Sequence, residues 1–149
     1  MMEYSRTPVR NLEWCHRMMG DRDAQFNLAI NYEFGCGVNK NVDEAIKLYT
    51  LSANNGHSIA HFVLASLYEH GKGIEINLNI AAELYNKAMG LLMNEVNNGD
   101  LDAYCYLAYC YENGYGVTKN LTKAAELYNY GVEHGYADFI NRLKNRNNY

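Results

Sequence analysis

The sequence predicts an all-α fold, an α-solenoid of helix–turn–helix repeats, on three observations. The stretch "YEFGCGV" from Tyr32 returns as "YEHGKGI" from Tyr68 and as "YENGYGV" from Tyr111. Around each copy, small and apolar residues recur at the spacing of one helix face. A single proline in 149 residues leaves little to interrupt long helices.

The elements follow in order. Thr7 and Pro8 make a helix start, Thr as N-cap and Pro at the first helical position, so residues 8–19 are expected to form a helix that ends at Gly20 and carries Leu12 and Trp14 into the stack. Residues 1–20 thus read as an N-terminal cap, which a solenoid needs because every repeat leaves an apolar face for its neighbour. Repeat one spans 21–57, repeat two 58–100 and repeat three 101–135. In the first helix of each, Ala24, Leu28, Ala29 and Tyr32 recur as Ala60, Leu64, Ala65 and Tyr68, then as Ala103, Leu107, Ala108 and Tyr111. In the second helix, Ala45, Leu48 and Tyr49 recur as Ala81, Leu84 and Tyr85, then as Ala124, Leu127 and Tyr128. Residues 136–149 close the chain as a short capping helix, with Ala137 and Ile140 on one face, followed by a basic, Asn-rich tail. One domain is expected over 1–149, with about eight helices.

Gly35 and Gly71 are 36 residues apart, whereas Gly71 and Gly114 are 43 apart. Seven extra residues are nearly two helical turns and shift an apolar face by only about 20°. They are placed at residues 90–96, where Ala81, Tyr85, Ala88, Leu92 and Val96 continue one stripe. The second helix of repeat two should therefore be overlong, with its end projecting around Leu91 to Glu95.

The glycine pairs raise a choice between a ligand loop and a corner. No P-loop or dinucleotide fingerprint occurs in the chain. In each repeat the first glycine instead follows the last turn of a helix, where a residue with positive φ satisfies free carbonyls. An apolar residue comes next, Val38, Ile74 or Val117, and then an asparagine, Asn41, Asn77 or Asn120, placed to cap the following helix. In repeat one, Glu44 completes a capping-box pattern with Asn41.

These positions, Ala, Leu, Tyr, G-x-G, Val, Asn, Ala, Leu-Tyr and a terminal Gly, taken in order and three times over about residues 20–135, resemble the Sel-one-like repeat family, relatives of the tetratricopeptide repeats. The resemblance implies a right-handed superhelix of repeats. Ala29, Ala65 and Ala108 stand where the family usually has glycine, and Leu48, Leu84 and Leu127 where tryptophan is frequent. Both departures change how closely neighbouring helices approach.

Composition excludes several functions. The formal charge is −4 and the isoelectric point about 5.7, from mixed charges without a Lys/Arg run, so nucleic acid is not an expected partner. The first residues lack the apolar region of a secretion signal and no apolar run approaches a membrane span, giving the expectation of a soluble, cytoplasmic protein with no membrane partner. Cys15, Cys36, Cys105 and Cys110 have no zinc-type spacing and read as ordinary buried or half-buried thiols. His57 and His61 could share a helix face but want a third ligand, so no metal is expected. Glu33, Glu69 and Glu112 recur at one position and lie too far apart to share a proton; they are expected to be solvated or bonded within the turn. No nucleophile elbow is present and Cys36 has no histidine base nearby in sequence. No catalytic residue and no cofactor is expected.

One set of residues departs from a merely solvated surface. On the first helices, the positions that differ between repeats are Asn27, Ile30, Asn31 and Phe34, then Val63, Ser66, Leu67 and His70, then Tyr106, Tyr109, Cys110 and Asn113. None is charged, and the mixture of apolar, aromatic and amide side chains matches that of protein-binding surfaces. Of these, Asn27, Ile30, Asn31, Phe34, Val63, Leu67, His70, Tyr106, Tyr109 and Asn113 are the candidate partner-binding residues. In the tetratricopeptide relatives the equivalent helices line a concave groove. The competing reading is that these residues pack against adjacent helices. The family resemblance implies a non-enzymatic interaction module, an adaptor or scaffold for a polypeptide, with self-association through the solenoid ends also open. Some bacterial members are inhibitors or immunity proteins against toxins. Some secreted, cysteine-rich members are described as penicillin-binding or β-lactamase-like, but they pair cysteines regularly, a pattern absent here.

Overall fold

The computed structural model describes residues 21–135. Within them the chain forms six helices and no strand: α1 (Arg22–Phe34), α2 (Val42–Asn54), α3 (Ser58–His70), α4 (Leu78–Asn97), α5 (Leu101–Asn113) and α6 (Leu121–Glu133). The end helices expected within residues 8–19 and 136–149, and Cys15, lie outside the described residues.

The described residues divide into two compact units, 21–81 and 82–135. In the first, α1 packs on α2 and α2 on α3; in the second, α5 packs on α6. The repeated residues form the contacts. Ala24, Leu28, Ala29 and Tyr32 are buried with Ala45, Leu48 and Tyr49 in the first unit, and Ala103, Leu107 and Ala108 with Ala124, Leu127 and Tyr128 in the second. Ala29, Ala65 and Ala108, where the resemblance led one to expect glycine, are completely buried. A methyl group at this position therefore fills space between helices and carries less conformational cost than glycine in a helix.

Each helix starts on a side-chain cap. Asp21 Oδ1 accepts from the Asp23 and Ala24 amides, and Asp100 Oδ1 from those of Asp102 and Ala103. Asn41, Asn77 and Asn120 accept from the amides of Glu44, Ile80 and Lys123, as the sequence led us to expect. The reciprocal half of the capping box does not form. The Asn41 amide donates to the Tyr32 carbonyl, 2.9 Å away, and the same bond joins Asn77 to Tyr68 and Asn120 to Tyr111. One asparagine thus ties off both sides of the corner: its side chain caps the second helix, and its amide satisfies a carbonyl that the first helix leaves open. A Glu three residues later has no donor left to close on.

Helix α4 has 20 residues, whereas each of the other five has 13. Helix α4 is thus seven residues longer than the others, and Ala81, Tyr85, Ala88 and Leu92 are buried along it. The expected projection is corrected. Leu92 is fully buried and Leu91 and Glu95 are half-buried, with only Met93 and Asn94 of that stretch exposed. Two added turns keep the helix in phase, so their apolar side meets protein rather than water.

Candidate functional site

The corners fix what the repeats present. Gly35, Gly71 and Gly114 take φ of 71°, 67° and 75° and end their helices, each amide bonding a carbonyl of the last turn. The second glycines are also left-handed, but two of them do something further. A Cβ on Gly73 would stand 2.3 Å from Val42 Cγ1, and one on Gly116 would stand 2.7 Å from the Tyr85 carbonyl oxygen. Each corner is thus pressed against the second helix of the repeat before it, and glycine is what permits the approach. Tyr115, between the glycines of the third corner, stacks on Tyr85 with ring centroids 4.4 Å apart and 5° between planes.

Two of the three recurrent glutamates bond across the hairpin. Tyr49 Oη donates to Glu33, and Tyr128 Oη donates to Glu112 at 2.8 Å. The expectation of solvated or turn-bonded carboxylates is corrected for Glu33 and Glu112, whereas Glu69 stands 3.9 Å from His70 Nδ1 beside it at the end of α3. Burial, and secondly the bond to Glu112, push the Tyr128 phenol well above its ordinary range. Both pairs span 16 residues, and Glu69 and Tyr85 stand at the same spacing in repeat two. That constant separation is the signal in the sequence, and it acquires meaning only once the two helices of a repeat are paired.

His57 is a helix cap. Its Nδ1 accepts from the Ala60 amide at 3.1 Å, so the proton sits on Nε2, which faces Asp23 Oδ1 at 3.4 Å. The ring stacks on Phe26 at 4.4 Å. Burial is the main cause that lowers its pKa, opposed by Asp23 and reinforced by Arg22 and His61. The His61 Nδ1–H donates to the His57 carbonyl, 2.9 Å away. Around this ring the start of α1 grips the α2–α3 link: Arg22 donates to the Gly56 carbonyl at 3.2 Å, the Ser52 hydroxyl to the Arg22 carbonyl at 2.7 Å, and Asn55 Nδ2 to the buried Gln25 Oε1 at 3.0 Å. Among the described residues, no cluster of three or more metal-ligating side chains occurs.

The two thiols of α5 are poor nucleophiles. Burial pushes Cys110 up to about 12 and Cys105, by burial and then Asp102, up to about 11, so both are protonated near neutrality. Cys36 is exposed, which corrects the expectation that it is buried or half-buried. It occupies the residue between two left-handed glycines, where the chain is turned out from the helices.

The candidate partner-binding residues separate by exposure. In the first unit, Asn27 and Phe34 on α1 are exposed, Ile30 and Asn31 half-buried, and His70 at the end of α3 exposed. Val63 and Leu67 on α3 are buried. In the second unit, Tyr106 and Tyr109 on α5 are buried and Asn113 is exposed. The four buried residues follow the competing reading, because large apolar side chains leave water wherever protein can cover them. Phe34 is 57% exposed, an unusual position for so large an apolar side chain.

The Sel1 repeat family model matches residues 22–57, 58–88 and 101–136. The chain belongs to the Sel1 repeat family. The three matched segments follow the helix pairs, and residues 89–100, which include the lengthened end of α4, fall between them. Among solved structures, a Sel1 repeat protein from Oxalobacter formigenes is similar at 29% identity and a TM-score of 0.56, over 91% of this chain and 98% of that one. The c5321 protein, a protective antigen present in uropathogenic Escherichia coli strains and displaying an SLR fold, is similar at 32% identity and a TM-score of 0.56. That match covers 85% of this chain and 26% of the longer one. No curated protein matches the sequence. The chain therefore has the all-α fold of Sel1 repeats, which are generally non-catalytic scaffolds for protein interaction. Among the described residues, no helix is long and apolar enough to cross a membrane.

Proposed function

We propose that this Sel1 repeat chain is a non-enzymatic adaptor that holds a polypeptide partner on the non-repeating face of its first helices. The observation that carries the proposal is the face of α1, where Asn27 and Phe34 are exposed beside half-buried Ile30 and Asn31 and Asp23, at the start of the stripe, is its one charge. An aromatic anchor flanked by amides supplies apolar area together with hydrogen-bonding groups that can pair with an extended backbone. His70 and Asn113 hold the corresponding exposed positions at the ends of α3 and α5, and each differs from its counterparts in the other repeats.

The test is a pair of substitutions at exposed positions, Phe34→Glu and Asn27→Arg, in protein used for affinity capture from the host, with the captured partner then purified for titration. Loss of binding by about tenfold or more, with helicity and melting unchanged, supports the face. Equal affinity for wild type and both variants would remove α1 from the interaction.

A further inference from the structure

Three Asn-Gly pairs occur in the described chain: Asn55-Gly56, Asn98-Gly99 and Asn113-Gly114. This dipeptide is the one most open to spontaneous deamidation, because a glycine lacks the Cβ that keeps its nitrogen away from the preceding side chain. The three pairs are alike in most respects. Each glycine has positive φ, 91°, 85° and 75° in chain order, and each asparagine is exposed. Each glycine amide also donates to a carbonyl behind it: Gly56 to Ala53 at 2.9 Å, Gly99 to Val96 at 3.0 Å and Gly114 to Cys110 at 2.8 Å.

They differ in what holds the side-chain amide. Asn55 Nδ2 donates to Gln25 Oε1 at 3.0 Å, inside the grip that α1 places on the α2–α3 link. Asn113 Nδ2 donates to the Tyr109 carbonyl at 3.0 Å. Among the described residues the Asn98 side chain makes no such bond. Its amide can therefore rotate toward the Gly99 nitrogen without first breaking a contact.

We propose that Asn98 is a self-modifying site at which the folded chain converts asparagine to aspartate and isoaspartate, while Asn55 and Asn113 are protected. The Gly99 nitrogen, giving up its proton to solvent, attacks Asn98 Cγ. A C–N bond forms, the Cγ–Nδ2 bond breaks, and the amide leaves as ammonia. Water then opens the cyclic imide at either carbonyl. Hydrolysis at one leaves an ordinary aspartate; at the other, the chain runs on through the side chain and gains a methylene in its backbone. The change falls two residues before Asp100, whose carboxylate caps α5 through the Asp102 and Ala103 amides. It adds a negative charge beside that cap and alters the spacing between the end of α4 and the third repeat.

The experiment ages the full-length protein at mildly alkaline pH and follows each Asn-Gly peptide by mass spectrometry, with isoaspartate detected by enzymatic methylation. A parallel sample is held in urea. In the folded protein Asn98 should convert roughly two- to tenfold faster than Asn55 or Asn113, the factor expected from one hydrogen bond holding each protected amide. In urea the three rates should converge, and Asn98→Gln should remove the dominant product. Equal rates at the three sites in the folded protein, or a silent Asn98, would overturn the proposal. Both outcomes are independent of partner binding.

Discussion

Replacing Gly116 with alanine should destabilise the protein well beyond the same change at Gly114, although both residues have left-handed φ, 70° and 75°. The shared cost is backbone strain, about 1–2 kcal/mol for a side chain in that region. At Gly114 the new methyl would find Lys119 Cβ at 3.6 Å, ordinary contact, so little is added. At Gly116 it would lie 2.7 Å from the Tyr85 oxygen and 2.9 Å from the Tyr85 carbonyl carbon, and neither atom can swing aside. The corner must then move off α4, at a further cost of about 1–3 kcal/mol. With about 4 °C lost per kcal/mol for a domain of this size, Gly114→Ala should lower Tm by about 4–8 °C and Gly116→Ala by about 8–20 °C. Gly73 supplies the control, because its obstacle is the Val42 Cγ1 methyl at 2.3 Å. Val42→Ala should recover part of the loss caused by Gly73→Ala, measured as a double-mutant cycle by thermal melts. Equal effects at Gly114 and Gly116, or no recovery by Val42→Ala, would refute the idea that the second glycine sets the approach of corner to helix.

Further outcomes follow from other contacts. His57 has a lowered pKa in the folded protein, so the unfolded chain binds the extra proton first; its contribution is present above the ordinary value of 6.5 and lost as pH falls through the folded value. Melting temperature should therefore fall on acidification below that point, and His57→Asn, which keeps a capping oxygen but cannot titrate there, should flatten the dependence. Tyr128→Phe leaves Glu112 without its partner across the hairpin and should cost about 1–3 kcal/mol in urea denaturation. Deleting residues 90–96 should leave a cooperative, helical protein, since the deletion restores the 13-residue length of the other helices and keeps the phase of the stripe. The loss of buried Leu92 should make it less stable than the parent.

The repeats were legible because the same physical constraint recurs three times. Gly35, Gly71 and Gly114 must all leave a helix at positive φ, and Asn41, Asn77 and Asn120 must all begin the next one, so chance resemblance at a single site is overruled by the register. The overlong α4 was legible for a related reason: seven residues preserve helical phase, and the stripe from Ala81 to Leu92 shows it. What escaped were contacts between elements. Whether Glu33 meets water or Tyr49 depends on the pairing of two helices, and local spacing does not contain that pairing. His57 was visible at a helix boundary, but its use as a cap depends on ring orientation against Phe26 and Asp23. The variable face was read from the helical wheel alone, which gives direction around one helix and not the neighbours waiting there. Phe34 and Asn27 are exposed, whereas Leu67 and Tyr106 are covered.

Hydrogen exchange of the purified complex, compared with the free chain, tests the proposed interaction most directly. Side chains are silent in that measurement, but a partner seated on α1 slows opening of its backbone amides. The account predicts added protection over Arg22–Phe34 and at the exposed end of α3, abolished by Phe34→Glu. Protection confined to the exposed faces of α2, α4 and α6, with Arg22–Phe34 unchanged, would contradict it.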